Sequence, residues 1–321
     1  MENIFQYNGN NNADNILAKI SQWIFTPEFT LLLKSFGKNE IQGDLLKKQI
    51  NELIEFSSIW DFRAKQKKTV SGNAEKPRWT VTDCDFSSQQ KEIIMKAANK
   101  LGLIGCTVPS RKEYDYILVL GGARMSCLFR MRYAKQICDM CDVKAKSIVG
   151  LAGMREVMES EREATDTYAL DARTEFDLMR AAFFNVFGEF KLGDKEECIV
   201  QNPNLSWAKE VYHIQDTSII LLAAPSGEPE KRRANTSDTF SFFMEQLQVK
   251  EKRNILLVTS QIYVPYQQLE AIRMLGIPYK HSLETIGFPN EWSANLQGLQ
   301  KPENYLQEMR SVLQSAGRLL M

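Results

Sequence analysis

Beyond residue 112 the chain alternates short, continuously apolar segments with stretches of helical periodicity, and few folds accept that alternation. The apolar segments are Tyr116–Leu120, Ser147–Leu151, Ser218–Ala224 and Asn254–Thr259. A strand with one wet face alternates apolar and polar residues, whereas a strand covered by helices on both faces has no reason to. Between and after these segments, Ser126–Cys141, Thr174–Phe187, Ser237–Leu247 and Pro265–Leu275 carry the spacing of amphipathic helices. The order βαβα predicts an α/β fold with a Rossmann-like, doubly wound parallel sheet over residues 113–290. Val211–Ile214 reads as an extra edge strand, with a turn at Asn202-Pro203-Asn204 before it.

The flanks read differently. Residues 1–112 form a helical N-terminal region, in which Ile16, Leu17, Ile20, Trp23 and Ile24, then Leu45, Leu46, Ile50, Leu53 and Ile54, recur at helical spacing. A further helix runs from about Ser87 to Leu101. Between them, residues 63–78 form a polar loop with Arg63, Lys65, Lys67, Lys68, Lys76 and Arg78, either simply solvated or phosphate-binding. Residues 291–321 hold a C-terminal helix, Pro302–Leu319, whose apolar side (Tyr305, Leu306, Met309, Val312, Leu313, Ala316) is expected to pack on the core or on a second copy.

Charge and composition narrow the function. Lys plus Arg number 40 and Asp plus Glu 40, so nothing draws the chain as a whole toward nucleic acid or an anionic membrane. The apolar runs fall far short of the ~18 residues a membrane helix needs. The first residues are acidic and Asn-rich, with no basic lead into an apolar stretch, so a cytoplasmic location is expected. Cys138 and Cys141 form a CxxC, but toward the end of a helix rather than at its start, with no second pair or spaced histidine to complete a metal set. Reduced, structural cysteines and no metal site are the expectation. His213 and His281 stand singly, and neither has triad or metal spacing.

In an open parallel sheet, ligands bind beyond the carboxyl ends of the strands, so the residues following each strand are the candidates. The first strand is followed by Gly121-Gly122-Ala123-Arg124, a turn that lets backbone approach an anion and offers a cation, although a plain tight turn explains it equally. The second gives Gly153 and Arg155, then an acidic stretch, Glu156–Asp171, read as a solvated excursion. Glu175 opens the next helix, where a carboxylate also suits the positive end of the dipole. The third strand leads through Arg232 and Arg233 to Asn235, Thr236 and Asp238, which fit either a helix cap or an anion site. The fourth ends at Thr259 and Ser260, ahead of Tyr263.

Four segments together resemble the DUF218 family, the YdcF/SanA/ElyC-like proteins. They are Ile117–Arg130 with its Gly-Gly-Ala-Arg turn, Thr174–Met179, Asn235–Asp238, and Leu257–Gln267 with its Thr-Ser; the resemblance covers about residues 115–290. Where that family carries His and Arg in the last motif, this chain has Tyr263 and Tyr266, which carry no cation near pH 7. The resemblance implies a ligand pocket for a nucleotide or adenosyl compound.

The leading expectation is therefore a small anionic, nucleotide-like or adenosyl ligand at the strand ends. Gly121, Gly122, Arg124, Gly153, Glu175, Asn235, Thr236, Asp238, Thr259, Ser260 and Tyr263 would hold it. Any reaction would be transfer or hydrolysis at a phosphate-bearing substrate, because the groups offered are anion holders and no nucleophile with its base stands out. The alternative is a catalytically degenerate scaffold that binds a protein partner through its N-terminal helices. Homo-oligomerisation is compatible with both.

Overall fold

A computed structural model describes residues 5–9, 13–62, 84–214, 217–293 and 299–321. The basic loop at 63–78 lies outside the described residues. Seven strands form one sheet: β1 (Glu113–Leu120), β2 (Lys144–Gly153), β3 (Leu192–Cys198), β4 (Trp207–Ile214), β5 (Thr217–Ala224), β6 (Asn254–Ser260) and β7 (Ser282–Phe288), in the order β3-β4-β5-β2-β1-β6-β7. β5, β2, β1, β6 and β7 are mutually parallel. β4 runs antiparallel to both its neighbours.

The registers pair apolar segment with apolar segment, Ile117 beside Ile148 and Leu256, Val119 beside Gly150 and Val258. Alternate residues then point to opposite faces. Ile117 and Val119 enter a core with α5 (Ser126–Cys141) and α7 (Glu175–Phe187). Leu118 and Leu120 enter a second core with α8 (Thr236–Leu247) and α9 (Val264–Ala271). Each fully buried Leu, Ile or Val contributes ~1.5–3 kcal/mol, so both faces must be covered and the uninterrupted apolar runs follow.

The second core continues outward. Its buried side chains include Ile16, Ile20, Trp23 and Ile24 of α1 (Ala13–Ile24), Leu32 of α2 (Pro27–Ser35), Ile50 and Leu53 of α3 (Leu46–Phe56) and Ile94 of α4 (Ser88–Lys100). The C-terminal helix, α10 (Pro302–Leu319), adds Tyr305, Leu306, Met309, Val312, Leu313 and Ala316, and packs on α3, α4 and α9 of its own chain.

Three features depart from the sequence reading. β4 is longer than Val211–Ile214 and is no edge, because β3 pairs beyond it. β3 itself, Leu-Gly-Asp-Lys-Glu-Glu-Cys, is exposed along its whole length, and a charged edge strand leaves no apolar pattern to read. β7 is an edge strand yet wholly buried, since Tyr7 bridges Leu283 and Thr107 bridges Gly287 along its outer side. Its central Glu284 accepts hydrogen bonds from the Ser110 amide and hydroxyl and from Tyr114 Oη, which is how a charge interrupts an otherwise apolar strand there.

Candidate functional site

Among the parallel strands, β1 is the first in sequence and lies between the second, β2, and the fourth, β6. The connections leaving β1 and β6 cross opposite faces, with α5 on one and α9 on the other. That divergence opens a crevice beyond the strand ends. A cleft of about 870 Å³ occupies it, roofed by α10.

Close approach fixes the turn after β1. A Cβ on Gly121 would lie 2.4 Å from Glu175 Oε1 and 2.5 Å from Leu151 O, and one on Gly122 would lie 2.8 Å from Ser126 Cβ and 3.1 Å from Arg130 Nη1. Both glycines serve packing of the turn against its neighbours. Arg124 then adopts φ 54°, a left-handed conformation that costs a non-glycine residue about 1 kcal/mol or more. It is held there from both sides: its amide donates to Glu161 Oε1 at 2.9 Å, and its carbonyl accepts from Tyr168 Oη at 2.9 Å.

Glu161 corrects the reading of the acidic stretch. It lies on a short helix, α6 (Glu159–Thr165), and is fully buried rather than solvated. Arg155 Nη1 donates to Glu161 Oε2 at 2.5 Å, and Arg155 Nε donates to Glu175 Oε2 at 3.0 Å. Burial pushes the Glu161 carboxyl up, but Arg155 and the amides of Met158 and Arg124 outweigh it and hold the group below the usual carboxylate range. Glu175 is not the cap of α7, whose capping box is Thr174 with Asp177; its carboxylate instead faces Arg155 and lines the cleft.

Arg130 closes the crevice between β1 and β6. It is 4% exposed, donates to the carbonyls of Leu120 (3.0 Å) and Gly121, and reaches Ser260 Oγ at 3.3 Å. Its guanidinium lies 5.7 Å from the centre of the Tyr263 ring. Ser260 is thus a support for Arg130 and does not line the cleft; Thr259 lies beneath, fully buried, with Oγ1 lacking a partner among the described residues.

The start of α8 is occupied from within. Asn235 Oδ1 accepts from the amides of Ser237 and Asp238, and the Asp238 carboxylate accepts from the amides of Asn235 and Gly227 and from Arg232. Asp238 points away from the cleft, whereas Asn235 and Thr236 line it. Of the eleven residues expected at the site, Gly121, Gly122, Arg124, Gly153, Glu175, Asn235, Thr236 and Tyr263 line this one cleft, and Asp238, Thr259 and Ser260 stand behind it.

The opposite wall was not anticipated. Glu270 on α9 is 1% exposed and accepts from Arg273, Arg318, Ser237 and Ser315. Burial raises its carboxyl, yet Arg318, Ser315 and Arg273 together hold it below the usual range. α10 turns its apolar side to the core and its other side, Asn304, Gln307, Arg310, Ser311, Gln314 and Arg318, to the cleft. That polar stripe runs ~20 Å at 1.5 Å per residue. Read from sequence, it is indistinguishable from a solvated face.

Nine basic side chains and three carboxylates line the cleft among the described residues. Charging Glu161, Glu228 and Asp238, which stand behind the lining and pair with it, still leaves three positive charges. A local surplus of this sign favours anions over cations on general electrostatic grounds. No group of three or more His, Cys, Asp and Glu among the described residues is arranged to hold a metal ion. His213 is exposed on β4 and His281 is buried just before β7, both outside the lining. No described helix is long and apolar enough to cross a membrane.

The comparisons with known proteins replace the DUF218 resemblance. A family profile described as the Rv3785 N-terminal domain matches residues 7–102. The uncharacterized protein Rv3785 of Mycobacterium tuberculosis (strain ATCC 25618 / H37Rv) is 31% identical over 322 residues, covering 94% of this chain and 88% of its own. The uncharacterized protein Mb3814 of Mycobacterium bovis (strain ATCC BAA-935 / AF2122/97) matches with the same identity and coverage. No solved structure matches the chain. The short strand-end motifs that suggested DUF218 follow from the shared geometry of open parallel sheets, in which small residues at strand ends and caps at helix starts recur without kinship. The chain belongs to the Rv3785 family.

Proposed function

We propose that this protein binds a small, multiply anionic molecule of the phosphate class in the cleft between the strand ends and α10. One observation carries the reading: among the described residues that line the cleft, basic side chains outnumber carboxylates nine to three, in a chain whose net charge is zero. Guanidinium groups match phosphate oxygens with paired donors, and several here are held in place by buried carboxylates before any ligand arrives. Gly121, Gly122, Arg124, Gly153 and Glu175 form the strand-end wall, with Asn235, Thr236 and Tyr263 beside it.

Nucleotides remain suitable probes because they carry phosphates; the adenosyl reading loses its support with the resemblance that suggested it. If a reaction occurs, it is phosphate-directed transfer or hydrolysis in which the arginines stabilise developing charge. A thermal-shift series with inorganic phosphate, pyrophosphate and nucleoside di- and triphosphates tests the reading. At a hundredfold excess over Kd, binding stabilises by about 2.7 kcal/mol, several degrees in Tm. The gain should shrink in Arg124→Asn, a substitution chosen because Asn tolerates the left-handed backbone that alanine would strain. Absence of any shift across the series, or a shift unaltered by that change, refutes the reading.

A further inference from the structure

Five of the arginines that line the cleft fall at two separate places. The Arg155 guanidinium and the Arg124 backbone amide meet at Glu161, and the Arg130 guanidinium donates to the Gly121 carbonyl just after β1. Arg273 and Arg318 meet at Glu270, on the far side. The two groups are bridged by one face of the segment after β6. Tyr263 lies against Arg130, Tyr266 and Gln267 line the cleft one turn on, and Glu270 lies a turn beyond. Tyr263 and Glu270 are seven helical steps apart, a span of about 10 Å at 1.5 Å per residue.

The middle of the cleft is of a different character. Two tyrosine rings and the Gln267 amide face it, with no cation contributed by that stretch. Gln267 is 5% exposed, its Nε2 reaches only a distant Thr236 Oγ1 at 3.5 Å, and its Oε1 has no hydrogen-bond partner among the described residues. A buried amide oxygen left in this state costs about 1–3 kcal/mol, which a donor on a bound molecule would offset.

Resting on the reading of the cleft as an anion site, we infer that its ligand carries two phosphate-class groups about 10 Å apart, joined by a neutral segment that crosses Tyr263, Tyr266 and Gln267. A single phosphate could occupy only one of the two arginine groups. A compact polyphosphate would leave the tyrosine floor uncovered.

A homologous series of α,ω-alkane bisphosphonates measures this span directly, with methylphosphonate as the single-group control and binding followed by titration calorimetry on the full chain. Affinity should rise with chain length, pass through a maximum near six to eight carbons, where the phosphorus atoms lie about 10 Å apart, and exceed methylphosphonate by about tenfold or more. In Arg318→Gln and in Arg273→Gln the maximum should flatten toward the single-group affinity while methylphosphonate binding persists; circular dichroism of each variant checks that it is folded. If every bisphosphonate binds like methylphosphonate in the wild type, the two-group inference fails while the anion site stands. If no phosphonate binds at all, both fail. If dicarboxylates of the same span bind equally well, the assignment to phosphate-class groups is overturned.

Discussion

The two walls of the cleft carry the same kind of side chain and hold it in different ways. At the strand ends, the Arg155 side chain is only 10% exposed and its partner Glu161 is fully buried. Across the cleft, Glu270 is as buried as Glu161, but its two arginines are not: the Arg273 and Arg318 side chains are 29% and 40% exposed. The first wall is part of the interior, built to place the backbone of Arg124 as much as its charge. The second presents partly solvated cations on a buried anchor. Stability should therefore be sensitive at the first wall and affinity at the second.

The largest expected effect follows from Glu161. Replacing it by Ala strips Arg155 of one carboxylate and the Arg124 amide of its acceptor, leaving a buried cation short of charge. A loss of about 3–5 kcal/mol is expected, read by urea denaturation. A loss under 1 kcal/mol would show that the strand-end wall is no more integral than the other. Gly121→Ala comes next. Its Cβ would meet Leu151 O at 2.5 Å, a backbone atom that cannot rotate away, so a cost of about 1–3 kcal/mol is expected from the same measurement.

Acidification separates the interior from the cleft by a different route. Burial, followed by the Arg253 charge, lowers His281 from 6.5 to about 4, with Asp115 opposing. The folded state thus favours the neutral ring. Its contribution is complete above pH 6.5 and is lost as pH falls toward 4, by at most about 3 kcal/mol. His281→Gln should flatten that part of the stability profile. Glu161 and Glu270, both held below the ordinary carboxylate range, contribute fully above about pH 4.5, and their contribution disappears only at lower pH. A profile without the step between pH 6.5 and 4 would contradict the burial assigned to His281.

The smallest stability effect belongs to Arg318→Gln. Its side chain is 40% exposed and Glu270 retains Arg273, so a change of about 0.5 kcal/mol or less is expected. Phosphate-class affinity should nonetheless fall and lose part of its dependence on salt. An Arg318→Gln protein that unfolds readily would erase the contrast between the walls.

How much of this was legible depended on whether burial left a pattern. The central strands were, because a sheet covered on both faces forces unbroken apolar runs such as Ile117–Leu120 and Ile255–Val258. The helix from Ser126 to Cys141 and the one from Pro302 to Leu319 were legible from their periodicity. β3 was not, since an exposed charged edge resembles a loop, and β7 was hidden by Glu284 at its centre. In the cleft, small residues after strands pointed to Gly121, Gly122, Arg124 and Gly153, because turns at strand ends are local. Glu161 was read as solvated, for nothing within Glu156–Asp171 marks the one carboxylate that faces inward toward Arg155. Glu270, Arg273, Arg310 and Arg318 were missed for a related reason: a polar helix face looks the same whether it meets water or another wall.

Chain-wide charge misled most. Forty basic and forty acidic residues give zero, yet the distribution is uneven in the lining of the cleft. Net charge speaks to encounters with large polyanions, and local surplus speaks to what a cleft retains.

If the proposal holds, this cleft collects anions on both of its walls. Crystals soaked in tungstate, a phosphate-like oxyanion visible by anomalous scattering, test it most directly. Anomalous peaks are expected inside the cleft, one beside Arg124 and one beside Arg318. Peaks confined to the outer surface, with the cleft empty at saturating tungstate, would contradict it.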